Sequence, residues 1–312
     1  MTLKSFIRIS QRALARWFLV FFAWLFKYLP YKVVRVLSLT SIKTGLFFAF
    51  RQKKIAKETI DVAFGKEKSP EEIKSIIDKC FDNVGMGMIE ILCYMSNPEI
   101  IASGVTFEGR EHLDEALKQG KGVIAVTAHF GNFPLMMLKC AREGYPTNVI
   151  MRPARDKKID KFLKIRREEK GLKTVYSLPR RECVVNSIKA LRRNEVIFIP
   201  LDQNFGSGGG VFVDFFGKTA ATATGPVVFA MRTDSVILPM FIKRESNSKH
   251  KIIIEPPYNL VEGKDEEETI LINIGNLTSI IEDYIRKYPC EWGWMHRRWK
   301  TRPQEETLAV TS

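Results

Sequence analysis

In the stretch VTAHFGNFPLM (residues 126–136), an apolar run stops two residues before His129, and Gly131 and Asn132 follow before a helical pattern begins. Imidazole changes protonation near neutral pH, so a histidine placed just past an apolar run suits a general base. Gly131 lets the backbone approach a ligand closely, and the N–H groups of Gly131 and Asn132, at the start of the next helix, suit a developing oxyanion. The competing reading of His129 is a capping or core histidine. A second apolar run, VIFIPLDQN (196–204), ends on Asp202 and Gln203. An aspartate that accepts the Nδ1 proton of His129 would turn Nε2 toward a substrate and stabilise the imidazolium that forms. Its competing role is to cap a turn. No G-x-S-x-G elbow occurs, and no cysteine lies near His129 in a recognisable motif, so the nucleophile expected is an external hydroxyl.

Other residues point to anionic ligands. In MRPARDKKIDKFLKIRREEKG (151–171), Arg152 directly follows an apolar run, where its planar fork can grip a phosphate through two hydrogen bonds. Arg152, Arg155 and Gln203 are the substrate-binding candidates, while most bases of this stretch belong on a solvated helix face that collectively meets anionic lipid. His112 and His250, on a polar helix and a strand edge, read as structural. His296, in WMHRRWKTRP, reads equally as an interfacial, headgroup or catalytic residue. FGSGGGVFVDFFG (205–217) lacks the spacing of a nucleotide loop and reads as a lid or a plain hairpin bearing an exposed aromatic strand.

The elements that must carry these residues form an α/β pattern. Short apolar runs at 122–127, 147–150, 173–177 and 196–201 alternate with helical segments, which predicts a mostly parallel central sheet covered by helices. In such a sheet, functional groups gather beyond the C-terminal strand ends, where His129 and Asp202 both stand. Residues 51–103 read as helical, with a capping box at Ser69-Pro70-Glu71-Glu72, and Ile270, Ile274, Leu277 and Ile281 mark one face of a late helix.

The chain has 312 residues and a net charge of +14, which calls for an anionic partner. Nothing resembling a helix-turn-helix, an RNP-type aromatic pattern or a zinc module appears, so nucleic acid is not the expected partner. Five scattered cysteines without metal spacing imply reduced thiols and no metal site. Near the N-terminus, Trp17 to Phe26 is unbroken apolar sequence flanked by Arg8, Arg12, Arg16 and Lys27. It is too short to span a bilayer as a helix, and predicts a helix lying in the membrane interface with bases on lipid phosphates. The division expected is membrane-anchoring helices over 1–50, a catalytic domain over 51–303 and a tail over 304–312.

Five blocks, AHFGN, MRPARDKKID, LDQN with GVFVDFFG, GPVVFAMRTDSVILP, and YPCEWGWMHRRWKTRP, occur in an order that resembles the lipid A biosynthesis acyltransferases, a branch of the lysophospholipid acyltransferase superfamily. The resemblance runs from about residue 105 to 303. It implies a glycerol-3-phosphate acyltransferase-like fold and an enzyme on the cytoplasmic face of the bacterial inner membrane. The implied reaction moves a fatty acyl group from a thioester, on acyl carrier protein or coenzyme A, to a hydroxyl of a glycolipid or phospholipid, without metal or redox cofactor. The family pairs its histidine with an acid in His-x4-Asp/Glu, whereas the fifth residue after His129 is Pro134. Proline fits the first turn of a helix but its carbonyl-only backbone and apolar ring cannot orient an imidazole. The resemblance therefore implies a His129–Asp202 pair, with Pro134 shaping the helix start. The alternatives are acylation of a different lipid acceptor and a non-catalytic lipid binder that has lost the carboxylate.

Overall fold

A computed structural model describes residues 49–99, 103–206, 208–246 and 249–303, together with Tyr28, Val33, Val36 and Thr40. The membrane-anchoring helices expected over 1–50 and the tail over 304–312 thus lie almost wholly outside the described residues. No helix among the described residues is long and apolar enough to cross a membrane.

Two helices, α1 (Phe50–Phe64) and α2 (Pro70–Ser96), precede the sheet. The start of α2 follows the sequence pattern. Ser69 Oγ accepts from the Glu72 N–H at 3.2 Å, and Glu72 Oε2 accepts from the Ser69 N–H at 2.8 Å. Two donors that the helix end leaves unpaired are thereby satisfied, and Pro70 sits in the first turn, where no N–H is needed.

The α/β body then alternates β1 (Val105–Glu108), α3 (Arg110–Lys118), β2 (Val123–Thr127), α4 (Phe133–Arg142), β3 (Thr147–Met151), α5 (Lys157–Glu168), β4 (Lys173–Tyr176), α6 (Arg180–Arg192) and β5 (Val196–Pro200). A hairpin of β6 (Gly210–Phe215) and β7 (Lys218–Ala223) leads to α7 (Gly225–Thr233), β8 (Val236–Ser246), β9 (Lys249–Ile254) and the long α8 (Glu266–Lys287). Seven strands form one sheet in the order β1-β9-β8-β2-β5-β3-β4. Five of its six pairings are parallel, and only the β8–β9 pair is antiparallel.

Side chains alternate between two covered faces. Val123, Ala125, Val196 and Phe198 enter the core shared with Leu135, Leu138 and Leu113, while Ile124, Val126, Ile197 and Ile199 enter the core under Ile274, Leu277 and Ile281. This double burial explains why β2 and β5 read as continuous apolar runs rather than as alternating ones. The two strands end in register: Thr127 stands opposite Pro200, and the Leu201 N–H donates to the Thr127 carbonyl at 2.9 Å. The chain therefore leaves the sheet at the same height on two neighbouring strands.

Two local expectations are corrected. The aromatic strand of the glycine-rich segment is not exposed, because the β6–β7 hairpin folds back onto α8 and the C-terminal segment. Phe215 packs edge-on to Trp292, Phe216 meets Phe64 and Trp294, and Phe212 alone of the three turns outward. His250 is not on a strand edge either, since β9 is paired on both sides and the ring is buried.

Candidate active site

His129 and Asp202 each lie two residues beyond the facing pair Thr127 and Pro200. Their side chains meet, with His129 Nδ1 at 2.9 Å from Asp202 Oδ1. Trp292 Nε1 donates to the other carboxylate oxygen at 2.7 Å. Asp202 is fully buried, and burial alone would raise its pKa. The neighbouring imidazole and the hydrogen bonds from His129 and Trp292 outweigh that and hold the carboxyl at about 2. It is ionised at neutral pH and only accepts, so Nδ1 of His129 must carry a hydrogen and Nε2 is the basic nitrogen of the neutral ring. Burial pushes the His129 pKa down, but the Asp202 charge and hydrogen bond push harder, and the net direction is up.

The His129 side chain remains 25% exposed while that of Asp202 is 0% exposed. Three groups surround the exposed part. The Phe133 ring lies edge-on at 4.8 Å between centroids, and the His296 ring at 5.3 Å. Gln203 Nε2 sits 2.9 Å from His129 Nε2 and 3.1 Å from His296 Nε2, bridging the two imidazoles. Burial, followed by the charge of His129, lowers the His296 pKa. The backbone of Gln203 is fixed from below by buried Arg298, whose guanidinium also bonds Ala221 and Thr222 and covers the Phe215 ring.

The C-terminal segment after α8 straps this site in place. Phe130 and Trp292 form an isolated antiparallel bridge, in which the Gly131 N–H donates to the Glu291 carbonyl at 2.8 Å and the Gly293 N–H donates to the His129 carbonyl at 3.0 Å. Buried Cys80 reaches the Trp292 carbonyl from α2 at 3.0 Å. All five cysteines are free.

These contacts change the role expected of Gly131. Its N–H is already committed to Glu291 and is not available to an oxyanion. Its left-handed φ of +56° and its closeness to β8 explain the glycine, since a Cβ there would come within 1.9 Å of the Ile242 carbonyl oxygen. Asn132 caps α4, accepting from the Leu135 N–H, and donates its amide to the Gly87 carbonyl at 3.2 Å and to Glu90 Oε2 at 2.9 Å. Pro134 lies in the first turn of α4, where its missing N–H costs no intrahelical bond. Among the described residues, the amides of Asn132 and Phe133 are the two at this helix start with no hydrogen-bond partner.

Arg152 and Arg155 are exposed in the loop between β3 and α5, on the same edge of the sheet as His129 and Asp202. Asp160 shapes that loop by accepting from the Ala154 N–H at 2.7 Å and from the Tyr176 hydroxyl. His112 bonds the Ile254 carbonyl at 2.8 Å, as a structural histidine would. Among the described residues no cluster of three or more His, Cys, Asp or Glu side chains is arranged to hold a metal ion. Sequence reasoning did not find Trp292 as the second partner of Asp202, nor the nearness of His296 to His129. The only signal was that both fall in the block YPCEWGWMHRRWKTRP.

The family model of the bacterial lipid A biosynthesis acyltransferases matches residues 2–301, and the chain belongs to that family of acyltransferases. The lipid A biosynthesis lauroyltransferase of Escherichia coli (strain K12) is 29% identical over 284 residues, covering 90% of each chain. The palmitoleoyltransferase of the same organism is 26% identical over 297 residues, covering 93% of this chain and 92% of its own. A phosphatidylinositol mannoside acyltransferase of Mycobacterium tuberculosis (strain CDC 1551 / Oshkosh) is 30% identical over 133 residues, or 42% of each chain. Among solved structures, a 1-acyl-sn-glycerophosphate acyltransferase from Thermotoga maritima aligns with 84% of this chain and 99% of its own, at 13% identity and a TM-score of 0.39.

Proposed function

We propose that this protein transfers a fatty acyl group from a thioester, carried by acyl carrier protein or coenzyme A, to a hydroxyl of a lipid A-type glycolipid. The observation that carries the proposal is the 2.9 Å contact of His129 with buried, ionised Asp202, which leaves Nε2 as the basic nitrogen of a side chain that is 25% exposed. Family membership supports the reaction class.

In the proposed step, neutral His129 takes the acceptor hydroxyl proton on Nε2 as the oxygen attacks the thioester carbonyl. The new C–O bond forms, the carbonyl oxygen becomes anionic, and collapse breaks the C–S bond. The imidazolium then returns its proton to the leaving thiolate, so the enzyme ends as it began. Asp202 holds the ring in the required tautomer and stays ionised throughout. With the Gly131 N–H taken, the amides of Asn132 and Phe133 are the donors assigned to the oxyanion. Arg152 and Arg155 are assigned to anionic phosphate on the acceptor or the carrier. The step as drawn uses no metal or redox group. The setting assigned is the cytoplasmic face of the bacterial inner membrane, on the strength of the aromatic, basic N-terminal sequence and the lipid acceptor.

The test is mass-spectrometric detection of acyl transfer by detergent-purified protein, using mixed acyl thioesters of both carriers and a bacterial lipid extract. A lipid that gains an acyl mass with the native protein, and does not with His129→Ala, supports the proposal and identifies the acceptor. Intact thioester alongside co-purified lipid would overturn it in favour of a binder.

A further inference from the structure

The amide of Gln203 occupies the place on His129 Nε2 that the reacting hydroxyl needs. In the neutral ring, Nδ1 of His129 donates to Asp202 and Nε2 accepts, which matches a donor 2.9 Å away. The carboxamide nitrogen of Gln203 is that donor through one hydrogen and reaches His296 Nε2 with the other, at 3.1 Å. This pairing belongs to the state in which both imidazoles are neutral. The backbone that carries this side chain is held in place, since Arg298 donates to the Gln203 backbone carbonyl at 3.3 Å and the preceding residue, Asp202, is buried. Asp202, His296 and Arg298 are the titratable or charged groups that contact His129 or Gln203 among the described residues.

We infer that Gln203 is a positioning residue that acts as a displaceable latch, anchored on His296, which covers the basic nitrogen of His129 until an acceptor hydroxyl takes its place. The inference rests on His129 acting as the base in acyl transfer. The chemistry it controls is the choice between two nucleophiles. With the latch in place, water does not reach Nε2. When a bound acceptor hydroxyl displaces one N–H, the amide keeps its bond to His296 and stays beside the reacting oxygen. Without the latch, water enters instead: its oxygen bonds the acyl carbon, the C–S bond breaks, and free fatty acid and thiol are released. Net hydrolysis consumes the donor without acylating lipid, which gives the latch a function distinct from stabilising the fold.

The experiment measures, on the purified full-length protein, transfer and acceptor-independent hydrolysis of dodecanoyl thioesters of coenzyme A and acyl carrier protein. Removing one hydrogen bond to Nε2 in Gln203→Ala raises hydrolysis about two- to tenfold and lowers the ratio of transfer to hydrolysis. His296→Ala removes the anchor from the other side and moves the ratio in the same direction, so the inference stays testable if Gln203→Ala does not fold. Gln203→Glu places an acceptor against Nε2, favours the protonated ring, and shifts the pH-dependent rise of transfer to higher pH. A ratio that keeps its native value in both alanine variants, whether the two rates fall together or stay unchanged, overturns the latch. Transfer that persists in His129→Ala overturns the assignment of the base itself, independently of Gln203.

Discussion

Two histidine–carboxylate pairs occur among the described residues, and they are nearly the same in length. His129 meets Asp202 at 2.9 Å, and His250 meets Glu90 at 3.0 Å. Both carboxyls are buried, and both are held at about 2 against the opposing effect of burial, by His129 and Trp292 in one case and by His250 and Arg244 in the other. The difference lies in what else each group touches. Glu90 already carries the guanidinium of Arg244 and the amide of Asn132, so its charge is balanced without an imidazolium. The His250 side chain is 0% exposed, and its second nitrogen is buried without a hydrogen-bond partner among the described residues. His129 has the reverse arrangement: the other side chain bonded to its acid is a neutral indole, and its second nitrogen meets the Gln203 amide on a side chain that is 25% exposed. A short histidine–acid contact is therefore not the mark of a catalytic pair. The state of the far nitrogen and the competition for the acid separate the two.

The sharpest contrast comes from removing each ring. His129→Ala should lower acyl transfer by about a hundred- to ten-thousand-fold while leaving the thermal transition near its native position. His250→Ala should do the opposite, lowering the transition temperature while retaining transfer per folded molecule. Equal loss of activity in both would break the comparison.

Removing the acid of the structural pair comes next. Glu90→Ala leaves Arg244 without its buried counter-charge and should cost about 3–5 kcal/mol in denaturant unfolding. A loss below about 1 kcal/mol, the worth of an exposed ion pair, would mean that solvent reaches this network. On the other pair, Trp292→Phe deletes the indole donor to Asp202 and should cost about 1.5–3 kcal/mol, read by calorimetry. The same substitution raises the Asp202 pKa, because one of the bonds that depress it is lost.

A further effect is shared by the two pairs. The folded pKa of Asp202 and of Glu90 is about 2, below their ordinary values of 3.8 and 4.5. Depressed carboxyls stabilise the fold above the unfolded value and lose that contribution as pH falls through the folded one. The urea midpoint should therefore decline between about pH 4.5 and pH 2. His129 runs the other way: its raised pKa gives a contribution present below 6.5 that fades as pH rises past the folded value. A midpoint flat across the acid window would contradict the depressed carboxyls.

Much of this was legible in the sequence, for identifiable reasons. The capping box at Ser69 and the paired faces of the sheet depend on local spacing, which a single chain displays. The meeting of His129 with Asp202 was legible because both stand at strand ends; that β2 and β5 are direct neighbours in register is a property of topology. Trp292 lies 90 residues from Asp202, and no periodicity links an indole to a carboxylate at that distance. A glycine at 131 suits the close approach of a ligand on sequence grounds, whereas the Ile242 carbonyl makes that approach and the N–H goes to Glu291. Phe215 and Phe216 belong to a hairpin whose polarity pattern does not reveal that it folds back onto a tryptophan cluster.

The most direct test of the central claim, that Asp202 sets the base character of His129, is the pH dependence of kcat/KM for acyl transfer, compared between the native enzyme and Asp202→Asn. The native rate should rise with pH through a value above the ordinary histidine 6.5, since the base must be neutral and its pKa is raised by Asp202. In Asp202→Asn that rise should move to lower pH and the plateau should fall. A variant that folds, keeps near-native kcat/KM and rises at the same pH as the native enzyme would contradict the account.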